Sequence, residues 1–211
     1  MTPEEREVLE QQIRAQCDQG ALQRAATLIL EGYGREILGF LISRLRDRDA
    51  ASEVFSQFTE DLWSGLSGFR WQCSARVWSY TVARHAASHY TRQAHRRRAR
   101  QIPLSRAGQI SEVAGRIRTA TLASARTDSK SQIVRLRERL PADDQTLLIL
   151  RINRHLSWIE IAQVMFHDGD IVETHVLERE ATRLRKRYQA AKDKLREMAR
   201  KEGLVRVRDE D

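Results

Sequence analysis

Cysteine, proline and long apolar runs are scarce in these 211 residues, and each scarcity narrows what the chain can be. The two cysteines, Cys17 and Cys73, have no CxxC or Cys/His partner at metal-ligand spacing. That points away from a disulfide framework or zinc module and toward buried or idle thiols in a reducing cytoplasm. Proline occurs only at 3, 103 and 141, helix formers dominate and period-two alternation is rare, so an all-α chain is expected. No uninterrupted apolar stretch approaches the roughly 18 residues a membrane-spanning helix needs, so no membrane segment is expected. The opening TPEEREVLE is acidic and amphipathic, unlike a signal peptide. No glycine-rich phosphate loop precedes a helix and no nucleophile-elbow pattern occurs. One absence is local: residues 62–111 contain no aspartate or glutamate, although the chain has 29 acidic residues.

The same window holds nine arginines and three histidines, with Trp63, Trp71, Trp78, Tyr80 and Tyr90 among them. Arginine neutralises phosphate and flat rings stack on unpaired bases, so a basic stretch interleaved with aromatics suits nucleic acid. The plain alternative is a solvated basic surface. The overall net charge of +8 also favours an anionic partner, whether DNA, RNA or a membrane surface.

The pattern along the chain predicts two small helical domains joined by a flexible linker. The first spans 5–100. Val8, Leu9 and Ile13, then Leu22, Ala26 and Ile29, then Ile37, Leu38, Leu41, Ile42 and Leu45 fall near helical spacing. Asp47-Arg48-Asp49 interrupts them and caps a helix from Ala50 to Trp63. Gly65 and Gly68 make a loop, and a long helix follows from Ser74 to Arg98. Residues 101–130 lack aromatics and contain Pro103, Gly108, Gly115 and many Ser, Thr and Ala, which predicts a linker with a transient helix around Ser111–Arg118. The second domain spans 131–203.

Within that domain, LSWIEIAQVM (156–165) has the form of the first helix of a helix-turn-helix. Ser157 is the expected N-cap and Glu160 its capping-box partner, with Ile161, Ala162 and Met165 facing inward. The later segment ATRLRKRYQAAKDKLRE (181–197) predicts a basic helix able to enter a major groove, with Leu184, Tyr188, Ala191 and Leu195 on its apolar face. A coiled-coil or surface helix is the alternative. In the first domain, RVWSYTVARHAASHYTRQAHRRR (76–98) predicts a helix with two stripes: Trp78, Val82, His85 and His89 on one, Tyr80, Arg84 and Ala87 on the other. One stripe packs and the other faces an opened strand, while Arg92, Arg96, Arg97 and Arg98 form a cationic end. Trp78 and Tyr80 are equally readable as core residues.

These segments, in this order, resemble bacterial sigma factors of the extracytoplasmic-function class. The likeness is carried by RDRDAASEVFSQFTEDLW (46–63), Phe69, RVWSYTVARHAASHYTR (76–92) and RERLPADDQTLLILRINRHLSWIEIAQVM (137–165), whose L-P and L-S-x-x-E-I-A are familiar local signatures of that class. The resemblance implies a partner, core RNA polymerase, whose β′ clamp helices would meet Glu53, Gln57, Glu60 and Asp61 and whose β flap would meet the second domain. It implies promoter DNA as ligand. Trp78, Tyr80, Arg84, His85, His89, Arg92, Arg96, Arg97 and Arg98 would bind and melt the minus-ten element. The minus-thirty-five duplex would fall to the basic helix, through Thr182, Arg183, Arg185, Lys186 and Arg187. An anti-sigma factor is a further implied partner, and the location implied is cytoplasmic. Three places depart from the family pattern: Ser52–Gln57 replaces an acidic-glutamine core, His85 and His89 stand where asparagine and aspartate are common, and 166–180 replaces a short turn. The recognition helix either begins early, near Ile171, or follows a loop broken at Gly169.

Competing classes leave weaker traces. His167, Asp168 and Asp170 suggest a metal, but their spacing matches no helical ligand motif and no second cluster supports them, so neither metal, cofactor nor enzymatic activity is expected. A helix-turn-helix regulator explains the C-terminal half but leaves the aromatic-arginine helix unexplained. A nonspecific RNA-binding protein would need only the charge.

Overall fold

The computed structural model describes residues 1–94, 108–125, 132–166 and 173–204. Every regular element among them is helical, and no strand occurs there. The chain divides into two compact units, Met1–Arg126 and Thr127–Asp211.

The first unit is built around one buried helix. Helix α1 (Pro3–Asp18) opens with a capping box: Thr2 Oγ1 accepts the Glu5 N–H at 3.1 Å, and the Glu5 carboxylate accepts the Thr2 N–H at 2.7 Å. Val8, expected to face inward, is 52% exposed, whereas Ile13 is fully buried. Helix α2 (Leu22–Leu45) buries Ala25, Ala26, Ile29, Leu30, Tyr33, Ile37, Leu38, Phe40 and Leu41. Helices α1, α3 (Arg48–Gly65), α4 (Ala75–Ala94) and α5 (Gly108–Ala125) all pack on it. Of the three glycines inside α2, each costing about 1 kcal/mol against alanine, Gly32 and Gly34 admit neighbours. Gly32 lies against Leu9, and a Cβ at Gly34 would fall 2.7 Å from Ile117 Cδ1. Arg46, in the left-handed region at φ 61°, ends α2. The Asp47 carboxylate then accepts the N–H groups of Asp49 (2.9 Å) and Ala50 (3.1 Å) to start α3.

Within the 101–130 stretch expected to be a linker, residues 108–125 instead form helix α5. Ile110, Val113, Ala114 and Ile117 recur at helical spacing and are buried where α5 packs on α2 and α3. Arg118 donates to Ser56 Oγ at 2.6 Å, and Arg116 lies 3.7 Å from Glu31. A short apolar stripe, diluted by Gly, Ser and Thr, becomes a stable helix because a partner surface receives it.

In the second unit, α6 (Gln132–Arg137) leads through Leu140-Pro141 to α7 (Ala142–Leu148). Buried Gln145 donates from Nε2 to the Leu140 carbonyl at 2.7 Å, closing that turn. Helix α7 runs into a π-helical turn, Ile149–Asn153, before α8 (Trp158–Phe166). Helix α9 (Thr174–Lys201) has 28 residues, or about 42 Å at 1.5 Å per residue. It therefore begins inside the segment where the sequence left two choices. Leu136, Leu147, Leu148, Leu156, Ile161, Ala162, Leu184 and Ala191 are buried in this unit. His167, Asp168 and Asp170 lie outside the described residues.

Candidate nucleic-acid interface

Helix α4 is fastened at its first turn by three elements. Ser74 Oγ accepts the Val77 N–H at 3.2 Å. The Glu10 carboxylate, from α1, accepts the N–H groups of Ala75 (2.7 Å) and Arg76 (3.0 Å) and the hydroxyl of Tyr33 (2.7 Å). The buried Arg76 side chain forks onto Glu36 of α2 at 2.6 and 3.0 Å. The rotation and height of α4 are thereby set against α1 and α2.

That rotation decides between the two stripes read from the sequence. Tyr80 is fully buried, edge-on to Phe40 with ring centroids 5.4 Å apart, and Ala83 and Ala87 are buried with it. Tyr80 is therefore a core residue and not a nucleic-acid contact, which corrects the assignment made from the resemblance. The outward stripe is Trp78, Val82 and His85, half-buried, continuing to His89 and Arg92, both exposed. Arg84 is half-buried at its margin, with Nη2 2.7 Å from His85 Nε2. Arg96, Arg97 and Arg98 lie outside the described residues.

Beside this stripe the loop between α3 and α4 carries an aromatic ladder that residue spacing did not disclose. The Phe69 ring stacks on Trp78 at 4.7 Å and 19°, and meets Trp71 at 4.8 Å and 48°. The Arg14 guanidinium lies 5.6 Å from the Trp71 ring centroid. Trp71 sits in the left-handed region at φ 56°, a conformation bulky residues avoid. The Phe69-Arg70-Trp71 run was visible in the sequence, but nothing local joined it to Trp78 or Arg14.

The outer face of α3 has the opposite character. Glu53, Gln57 and Glu60 are exposed and Asp61 is half-buried, at i, i+4, i+7 and i+8. Gln57 Nε2 donates to Asp61 at 2.8 Å, and Trp63 at the end of the helix is 37% exposed. Partial burial, with Glu53 and then Asp47 nearby, raises the Tyr90 phenol above its ordinary value.

In the second unit the capping box of α8 forms as read. Ser157 Oγ accepts the Glu160 N–H at 3.2 Å, and the Glu160 carboxylate accepts the Ser157 N–H at 2.6 Å. Ile161, Ala162 and Val164 are fully buried, while Met165, expected inside, is half-buried. On α9, Arg183, Arg185 and Lys186 are exposed, and the exposed Thr182 donates its hydroxyl to the Glu178 carbonyl at 2.9 Å. Arg187, also exposed, bridges from its guanidinium to Asp144 (2.5 Å) and Asp143 (3.7 Å) of α7, which ties the two helices together.

Among the described residues, no group of three or more His, Cys, Asp or Glu side chains is placed to hold a metal ion, and no helix is long and apolar enough to cross a membrane. No protein-family model matches this chain, and no curated protein sequence does either.

Proposed function

We propose that the protein is a promoter-specificity factor of bacterial RNA polymerase, a sigma factor of the extracytoplasmic-function class, acting in the cytoplasm and without chemistry of its own. The observation that carries this reading is the pairing of a basic, half-exposed stripe on α4 with the Phe69–Trp71–Trp78 ladder next to its N-terminal turn. Rings in partial contact with solvent, beside His85, His89 and Arg92, suit an unpaired strand: bases stack on the rings and cations follow the backbone. Base–aromatic stacking is worth about 1–3 kcal/mol per base and offsets an unstacking cost of a few kcal/mol.

The acidic stripe Glu53, Gln57, Glu60 and Asp61 on α3 would dock on the polymerase clamp helices, a role the sequence resemblance assigns to this helix. The capped α8 and the exposed cations of α9 would form the helix-turn-helix that holds the minus-thirty-five duplex and touches the flap. An anti-sigma factor that clamps both units is the regulator this reading implies.

In-vitro transcription tests it. Core RNA polymerase, a library of promoter-like duplexes and this protein as sole specificity factor should yield transcripts from a defined subset of templates. A folded protein that supports no initiation, yet binds specific duplexes alone, would instead be a helix-turn-helix regulator.

A further inference from the structure

One aromatic side chain of the second unit gathers cations. Trp158 opens α8, and the guanidinium carbons of Arg151 and Arg185 lie 4.8 and 5.6 Å from its ring centroid. The ring meets Tyr188 edge-on at 5.3 Å and 72°, and Lys192 Nζ lies 5.5 Å from the Tyr188 centroid. Three cations from two elements therefore rest on two touching rings.

Each part of this cluster has a local cause. Arg151 belongs to the π-helical turn that ends α7, a local widening that re-aims side chains. Its Nη1 donates to the Leu156 carbonyl at 2.8 Å, which holds the guanidinium near the indole. Arg185 is one turn before Tyr188 on α9, so both reach the same side of α8. Several other arginines of the unit have acidic partners: Arg139 with Glu202, Arg183 with Glu180, Arg187 with Asp144 and Arg196 with Asp193. Among the described residues neither Arg151 nor Arg185 is paired with a carboxylate. Two like charges on one ring repel. The ring face offsets part of that cost, and an anion shared between them would remove the rest.

We propose that Arg151, Trp158 and Arg185 form a clamp for a backbone phosphate of duplex DNA, with Lys192 contacting the same strand farther along α9. A guanidinium held over an indole is kept from wandering, and its planar N–H fork suits a phosphate. The adjacent exposed Arg183 and Lys186 extend the positive strip, as a polyanion requires. The inference rests on the DNA-binding reading of the second unit and deepens it. Arg185 becomes a positioning contact to the backbone, and base reading falls to other exposed α9 residues.

Duplex binding by the full-length protein, titrated at several salt concentrations, tests the clamp. Arg185→Gln and Arg151→Gln should each weaken binding to all duplex sequences alike and reduce the slope of log K against log salt by about 0.9, the value of one phosphate contact. Arg151 also supports the Leu156 carbonyl, so the exposed Arg185 variant carries the test if the Arg151 variant is misfolded. Duplexes with single neutral methylphosphonates add a readout that folding does not move: one position should weaken wild-type binding but not that of Arg185→Gln. An unchanged slope in a folded Arg185→Gln protein, with wild-type duplex binding intact, overturns the clamp and leaves the DNA-binding reading standing. A wild-type protein that binds no duplex, alone or with core polymerase, overturns both.

Discussion

The Glu10 carboxylate on α1 accepts the N–H of Ala75, the first residue of α4, at 2.7 Å across 65 positions of sequence. It is a helix cap supplied from another helix, and it also holds the Arg76 N–H and the Tyr33 hydroxyl. Glu10→Ala would leave these donors without that acceptor, at a cost of about 1–3 kcal/mol. Urea unfolding should register that loss, with Glu10→Gln falling between the variant and wild type. Because α4 carries the proposed strand-capturing stripe, promoter opening should slow in Glu10→Ala even where the protein is folded. Wild-type stability in Glu10→Ala would show that the cap does not hold the helix.

Gly34 and Ile117 form a coupled pair. A methyl at 34 would fall 2.7 Å from Ile117 Cδ1, so Gly34→Ala should loosen α5 even though it raises helix propensity in α2. Ile117→Val removes the clashing carbon and alone should cost about 0.5–1.5 kcal/mol. The double variant should be more stable than the sum of the singles allows, with a coupling of about 0.5 kcal/mol or more. Hydrogen exchange over 108–125 would follow the same order. Strict additivity would mean that α5 does not seat on Gly34.

Trp71 offers a way to remove a ring without disturbing the backbone. At φ 56° its conformation suits glycine, so Trp71→Gly relieves backbone strain as it deletes the indole. The variant should stay folded and bind duplex promoter normally. Permanganate reactivity of the minus-ten region should fall, by a factor set by a stacking loss of about 1–3 kcal/mol. Undiminished melting would place base capture elsewhere.

The α3 face is open to charge reversal because Glu53 and Glu60 are exposed. Glu53→Lys with Glu60→Lys should leave the melting temperature within a few degrees, since surface changes usually stay within about 0.5 kcal/mol each. Retention of the protein on immobilised core polymerase should drop at least tenfold. Equal retention would move the docking surface off this helix.

The Tyr33 phenol is pushed above its ordinary value, first by burial and then by the hydrogen bond it donates to Glu10. A raised value in the folded state favours the neutral form there. Its contribution is complete below the unfolded value of about 10 and is lost as pH rises beyond it. Stability should therefore decline from about pH 10 upward, and less steeply in Tyr33→Phe. Thermal melts across pH 9–11 would show the difference; parallel declines would assign the alkaline loss to other groups.

Much of the helical frame was legible along the chain. Asp47 and the Ser157/Glu160 pair announce helix starts through bonds made within three residues, and such bonds do not depend on the rest of the fold. The spacing of Trp78, Val82, His85 and His89 likewise defined a face before any neighbour was known. The site itself was only half legible, because spacing tells which residues share a face and not which face is covered.

The sequence by itself determined an all-helical chain, its local caps and the concentration of basic and aromatic residues, since these follow from composition and short-range periodicity. Tertiary structure alone decided that Tyr80 is core while Trp78 stacks on Phe69, that Arg187 pairs with Asp144, and that 108–125 is a packed helix. The physical reason is common to all three. Burial and ion pairing depend on groups far away in sequence, and a weak amphipathic stripe becomes a helix only when another surface is there to bury it.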